Sequence, residues 1–232
     1  MTERVLLITG ASRGLGAATA RRAAGAGWRV VLVARSRESL APLVAELGED
    51  RALAVAADVA EWSQISAAVA AAEDRFGRLD AAFANAGQMV PVSFFGNGGT
   101  DPEQWRDMVL TNVYGAAITA RAALPALART RGHLVLTGSV AGRHVRRANL
   151  YSATKWAVTG LAGSIREEAV GTGVRVTLLQ PGIVETDLIY EEMRRKPMLD
   201  PDDVARAVCY ALDQPPAVDV NEIVLRPTGQ EL

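Results

Sequence analysis

The chain has 232 residues, 49% of them apolar and 22% charged, enough to bury one sizeable core. A formal net charge of -1 excludes a phosphate-dominated nucleic-acid surface, which needs a marked basic excess. With Cys209 as its one cysteine and with two histidines, the chain holds neither an intrachain disulfide nor a multi-cysteine zinc site, so no metal is expected and a reducing, cytoplasmic setting is.

Met1–Arg4 precede the first apolar run and are too short for a signal peptide. No apolar segment approaches the ~20 residues that span a bilayer, so neither a membrane partner nor a targeting segment is expected. Short β-branched or leucine-rich runs alternate with alanine-rich stretches, the pattern of β-α-β units in a parallel sheet. In chain order the predicted strands are Val5–Thr9, Arg29–Ala34, Ala52–Ala57, Ala81–Asn85, His133–Thr137, Arg175–Gln180 and Glu222–Leu225. Most are unbroken apolar runs, as strands buried on both faces require. Helices fill the intervals. Asp101-Pro102 and Asp200-Pro201 pair a capping carboxylate with proline at the first helical position, ahead of "EQWRDMVLTNVYGAAITARAAL" and "DDVARAVCYAL". No composition shift or repeat divides residues 1–232, so one domain is expected. Residues 88–100, with "SFFGNGG", read as a flexible loop, and residues 183–199, with "YEEMRRKP", as a lid or a solvated helix.

Between the first strand and the first helix lies "TGASRGLG", Thr9–Gly16, a glycine turn that can turn backbone N–H groups toward a phosphate. Its spacing is G-x-x-x-G-x-G, not the dinucleotide fingerprint G-x-G-x-x-G, so the turn alone does not decide a ligand. At the end of the second strand, where an NAD site offers a carboxylate to the ribose, the sequence reads Ala34-Arg35-Ser36. Arg13 and Arg35 together suit the 2′-phosphate of NADP; solvated surface charge is the alternative. "YSATK" places Tyr151 and Lys155 at i, i+4 on one helix face, where the ammonium is expected to favour the phenolate. Ser139, ending the fifth strand, can point a hydroxyl into the crevice at the sheet's carboxyl edge.

These motifs, with Asp58-Val59 after the third strand, "NAG" at Asn85–Gly87, Asn112 in the long helix and Pro181-Gly182 followed by Thr186, make the chain resemble a single-domain short-chain dehydrogenase/reductase over nearly its whole length. The resemblance implies a doubly wound Rossmann sheet of seven parallel strands in order 3-2-1-4-5-6-7, and hydride transfer between NADP(H) and a carbonyl or alcohol carbon of a small molecule. It implies Tyr151 as general acid, Ser139 as the donor to the carbonyl, Lys155 as tuner of Tyr151 and ligand of the nicotinamide ribose, and Asn112 as holder of a water leading from Lys155. It assigns Gly10, Ser12, Arg13, Gly14, Leu15 and Gly16 with Arg35 and Ser36 to the phosphates. Asp58 and Val59 go to the adenine, Asn85, Ala86 and Gly87 to the adenosine side, and Pro181, Gly182, Ile183 and Thr186 to the nicotinamide end.

The ending "NEIVLRPTGQEL" has no glycine pair, and resembles the NADP-dependent 3-hydroxy acid and clavulanate-type dehydrogenases more than the carrier-protein ketoacyl reductases. A ketoacyl reductase and a catalytically silent NADP-binding regulator are the alternatives. Arg143, His144, Arg146 and Arg147, in "GRHVRRANLY", suggest either a pocket for an acidic substrate or, with more weight, a solvated basic loop or subunit contact. His133, Met193 and Trp156 read as structural or packing residues. A homo-oligomer, a tetramer or dimer, is implied, with Val113, Ala117, Val158 and Leu161 as outward apolar positions.

Overall fold

Successive residues of a strand face opposite sides of its sheet, and here both sides are apolar. In β1 (Val5–Thr9), Val5 and Leu7 enter one core while Leu6 and Ile8 enter the other. In β2 (Arg29–Ala34), Val31 and Val33 oppose Val30 and Leu32 in the same way. Such a sheet must carry helices on both faces. The structure, a computed structural model, describes residues 3–144 and 147–230. One core packs the sheet against α3 (Trp62–Phe76), α5 (Gly115–Thr130) and α6 (Leu150–Ala169). The other packs it against α1 (Gly14–Gly25), α2 (Ala41–Leu47) and α7 (Pro201–Leu212). Full burial of each leucine or valine side chain contributes about 1.5–3 kcal/mol relative to exposure.

The remaining strands are β3 (Ala52–Ala56), β4 (Ala81–Ala84), β5 (His133–Thr137), β6 (Arg175–Pro181) and β7 (Glu222–Leu225). All seven pair in parallel, in the order β3-β2-β1-β4-β5-β6-β7. The sheet grows outward from β1 to β3, then restarts on the other side of β1 with β4. This reversal opens a crevice at the carboxyl ends of β1 and β4. β3 and β4 each end one residue before the expected point, and β6 runs one residue further, through Pro181.

Two helix expectations need correction. The stretch after Asp101 is not a uniform α-helix: α4 (Pro102–Val109) passes into a π turn at Leu110–Tyr114 before α5 begins. Asp101 precedes Pro102 in extended conformation but its carboxylate makes no capping bond. Asp200 does cap, accepting from Asp202 N at 2.7 Å while Asp203 accepts from Asp200 N at 2.9 Å, a reciprocal box that starts α7. Residues 88–100 form an irregular loop with Gly96, Gly98 and Gly99 at positive φ, and Phe94 packs edge-on against Trp105. Residues 183–199 contain a 3-10 turn at Glu191–Arg195 and return to the sheet end through a Val184–Leu199 bridge.

His133 proves structural, as its place at a strand start implied. It is buried at the head of β5, beside β6, and its Nε2 lies 2.7 Å from Thr177 Oγ1. The Thr177 hydroxyl donates to Val220 O at 2.6 Å, so it accepts from the ring and the proton sits on Nε2. Nδ1 finds no partner among the described residues. Burial, reinforced by Arg175, pushes the imidazole down to about 3. The native ring therefore binds fewer protons than the unfolded one between pH 6.5 and about 3. Its contribution to stability is complete above pH 6.5 and declines through that window by about 1.4 kcal/mol per pH unit. Urea unfolding of the parent and of His133→Asn from pH 7 to 4 is expected to show the steeper loss in the parent; parallel profiles would contradict it.

Candidate active site

The turn after β1 is built on close backbone approach. Gly10 has φ +66°, and a Cβ there would lie 2.9 Å from Ala86 Cα; Gly14 has φ +53°. A Cβ on Gly16 would overlap Gly10 O, so α1 can start tight against β1 only with glycine at that position. Arg13 at the helix N-cap offers no side-chain cap, and Gly14 and Leu15, the first residues of α1, line the crevice. Glycine here lets an anionic group come close to backbone N–H groups at a positive helix end, so these residues fit a dinucleotide pyrophosphate.

Asn85 ties the crevice together. Its Nδ2 donates to Thr9 O at 2.9 Å, its N–H to Thr9 Oγ1 at 3.0 Å, and Ala86 N to the same hydroxyl at 3.1 Å. Thr137 Oγ1 donates weakly to Asn85 Oδ1, bringing in β5. A cavity of about 870 Å³ runs along these strand ends. It is lined by the predicted residues Gly10, Ser12, Arg13, Gly14, Leu15, Arg35, Asp58, Val59, Asn85–Gly87, Ser139, Tyr151, Lys155, Pro181–Ile183 and Thr186. Gly16 supports the turn from behind, Ser36 bonds Glu38 at 2.7 Å instead of lining the cavity, and Asn112 lies just beneath it.

At the β5 end, Ser139 caps the 3-10 turn Val140–Gly142, its Oγ accepting from Ala141 N at 3.1 Å. Tyr151 starts α6, whose N-cap Asn149 accepts from Ser152 N at 2.8 Å. One helical turn later Lys155, 3% exposed, donates from Nζ to Thr137 O at 2.8 Å and lies 5.5 Å from the Tyr151 ring centroid. The spacing thus brings serine, tyrosine and lysine together, but not with the electrostatics expected. Burial raises Tyr151 to about 12; its hydrogen bond with Ser139 opposes this and Tyr190 adds to it, while Lys155 has no part in the shift. Burial likewise lowers Lys155 to about 8. One of the three ammonium hydrogens of Lys155 is given to the Thr137 carbonyl, and burial disfavours its charged form as it does the phenolate of Tyr151.

Asn112 is buried beneath the crevice. Its Nδ2 donates to Gln88 O at 2.9 Å and to Thr154 Oγ1 at 3.1 Å, and its Oδ1 accepts from Gln88 N at 2.8 Å. The side chain joins the π turn to the β4 loop and to α6. These bonds use both amide hydrogens and one lone pair of Oδ1, and leave the other lone pair and the backbone carbonyl of Asn112 to accept. Of the basic residues before Tyr151, Arg143 forms an ion pair with Glu222 on β7, and neither it nor His144 or Arg147 lines the cavity; Arg146 lies outside the described residues. Met193 lines the cavity, and Trp156 is largely exposed, so neither is core packing.

At the far end Arg35 makes no hydrogen bond or ion pair with the described residues, and Arg13 pairs with Asp187 at 3.1 Å, both side chains being exposed. Asp58 Oδ1 accepts from Ala60 N at 2.9 Å, and Val59 packs on Gly115, where a Cβ would lie 2.8 Å from Val59 Cγ2. Gln230 was not legible from sequence. Its Oε1 accepts from Ile183 N at 3.0 Å, and a Cβ on Gly182 would overlap it, so the turn after β7 pins the segment after β6. The signal was the tight "PTGQ", closed by Gln230 N donating to Pro227 O at 3.1 Å. Among the described residues no group of three or more histidine, cysteine or acidic side chains suits a metal ion, and no helix is long and apolar enough to cross a membrane.

A glycine-turn crevice at the reversal of a parallel sheet, with serine, tyrosine and lysine at its other end, defines a nucleotide-dependent oxidoreductase site. The profile of the short chain dehydrogenase family matches residues 4–196. An oxidoreductase of Staphylococcus aureus (strain USA300) is 37% identical over 233 residues, covering 98% of both chains. Among solved structures, an alcohol dehydrogenase from the archaeon Thermococcus sibiricus, complexed with 5-hydroxy-NADP, superposes with a TM-score of 0.89 at 30% identity, covering 99% of each chain. A 3-ketoacyl-(acyl-carrier-protein) reductase from Brucella melitensis, complexed with NADH, gives 0.88 at 29% identity, with 97% of this chain and 98% of that one covered. The chain belongs to the short-chain dehydrogenase family and is an oxidoreductase of that family.

Proposed function

We propose that the protein is an NADP(H)-dependent oxidoreductase that interconverts a carbonyl and a secondary alcohol on a small molecule, with Tyr151 as the general acid and base. The observation that carries this reading is the convergence of Ser139, Tyr151 and Lys155 on one end of the cavity whose other end is the glycine turn. When bound, the dinucleotide supplies or accepts a hydride. The chain's own residues do the rest. The amides at the start of α1 hold the pyrophosphate, and Pro181, Ile183 and Thr186 flank the nicotinamide end. Ser139 and Tyr151 donate hydrogen bonds to the substrate oxygen, which favours the charge developing there during reduction. Lys155, fixed against Thr137 O, holds the ribose edge beside Tyr151.

The protonation state fits reduction near neutrality. Raised to about 12, the phenol keeps its proton at pH 7 and can donate it, whereas alcohol oxidation requires its phenolate. Carbonyl reduction should therefore vary little between pH 6 and 8, while alcohol oxidation climbs by up to about tenfold per pH unit over that range. Tyr151→Phe should retain NADPH affinity, read by fluorescence, yet lose about 10²–10⁴ in kcat for reduction. Near-normal reduction by that variant removes Tyr151 from the mechanism.

NADP(H) preference is supported by Arg13 and Arg35 lining one end of the cavity and by the absence of a carboxylate at the end of β2. Asp187 shares Arg13 only through an exposed ion pair, an interaction worth about 0–1 kcal/mol that a 2′-phosphate can replace. Arg35→Asp is expected to reverse the ratio of NADPH to NADH dissociation constants; equal constants in the unmodified protein would refute the preference.

We further propose a homo-oligomer, a tetramer or dimer. Val158, expected outward, is buried in the core, and Val113, Ala117 and Leu161 are half-buried; the exposed apolar residues of these elements include Val109, Leu110 and Tyr114 across the α4 end and π turn, with Trp156 at 47% on neighbouring α6. Multi-angle light scattering should give at least twice the 24.6 kDa chain mass, falling toward the monomer in Trp156→Glu. A monomeric parent at micromolar concentration contradicts the assembly.

A further inference from the structure

We propose that the carbonyl substrate is uncharged and apolar around its reacting carbon, and that this enzyme discriminates against oxo acids. The inference rests on the preceding assignment of Ser139 and Tyr151 to the reacting oxygen. Val140 and Ala141 follow Ser139 directly, Met89 comes from the loop after β4, and Leu188, Ile189 and Met193 come from the segment after β6; all six line the cavity. The amide oxygens of Asn149 and Gln230, neutral polar side chains that line it, are committed to the fold, which leaves only their uncharged N–H groups for a ligand. Asn149 Oδ1 caps α6 through Ser152 N, and Gln230 Oε1 accepts from Ile183 N.

A substrate carboxylate needs a cation within reach, and among the described residues that line the cavity none at this end is free; Arg194, Arg195 and Lys196, which follow Met193, do not line it. The arginines lining the cavity are Arg13, Arg21 and Arg35. Arg21 is held by Glu46 at 2.8 Å, and Arg13 is the residue assigned above to the 2′-phosphate of the bound dinucleotide. Arg35 ends β2, which is separated from β5 by β1 and β4. At about 4.8 Å per strand spacing, three spacings put Arg35 roughly 14 Å from the strand that carries Ser139. A carboxylate two or three bonds from the reacting carbon cannot span that distance. Lys155 is the remaining cation, and its Nζ is buried and bonded to Thr137 O. Of the described residues in the run before Tyr151, Arg143 is turned to Glu222, and neither His144 nor Arg147 lines the cavity. Glu185 and Asp187 on the segment after β6 repel an anion further. An unpaired carboxylate against this wall loses its hydration without return, whereas an alkyl chain gains about fourfold in affinity per buried methylene. The ending that resembles 3-hydroxy acid dehydrogenases therefore does not carry their charge preference into the pocket.

The test compares molecules that differ only in charge: ethyl 3-oxobutanoate, 3-oxohexanoate and 3-oxooctanoate against the corresponding free 3-oxo acids, each reduced with NADPH by the full chain. The esters are expected to exceed the acids at least 100-fold in kcat/KM, with kcat/KM rising along the ester series. Met193→Lys should narrow the ester-to-acid ratio at least tenfold while leaving the NADPH dissociation constant unchanged. Acids reduced as well as esters, or a ratio unmoved by Met193→Lys, overturn the inference and leave the role of Tyr151 standing. NADPH binding without turnover of any member of either series overturns both.

Discussion

The clasp between Thr9 and Asn85 is the contact on which this molecule depends. Where the sheet reverses direction, β1 and β4 diverge beyond their last paired residues, and backbone groups there lose their ladder partners. Asn85 and Thr9 replace that ladder with side-chain bonds to O, N and Oγ1. The glycine turn can then lean so closely on Ala86 that no Cβ fits at Gly10. Because Asn85 also accepts from Thr137, the carboxyl ends of β1, β4 and β5 are set as one piece. Thr137 O in turn receives Lys155, so the lysine is tied through β5 to the clasp between β1 and β4.

The fold was legible because its physics is local. Unbroken runs such as "VLLIT" and "RVVLVA" are strands with two apolar faces, and that alone demands a layer of helices on each side. The two Asp-Pro starts marked helix beginnings correctly although only Asp200 caps with its side chain. The π turn escaped notice because "DMVLTNVYGAA" has the composition of an ordinary helix; the turn coincides with Asn112 bonding to Gln88 and Thr154 on other elements. Val158 was misplaced for a similar reason: on an alanine-rich helix both faces look alike in sequence, and packing decides which is inside.

At the site, residue identities were readable and their electrostatics were not. Tyr151 and Lys155 at i, i+4 do meet, but sequence spacing says nothing about desolvation, and burial disfavours the charged form of each. Gln230 is about fifty residues from Ile183 and belongs to a short polar ending, so only the three-dimensional return of β7 beside β6 shows that it serves the crevice. The same holds for Asp187 opposite Arg13, a charge pair across a groove with no trace in local patterning.

The π turn also fixes the rotational phase of everything after it. An α-helix advances about 100° per residue, so each residue added to or removed from Leu110–Tyr114 turns the following helix by that angle. Gly115, pressed on Val59, and Ala116, Ala120, Ala123 and Leu127 behind it are seated against the sheet only at the present phase. The small bulge that lets Asn112 bond inward is thus the indexing mark of a sixteen-residue helix, and insertions that a surface loop absorbs would here act as a screw turn on one whole face of the core.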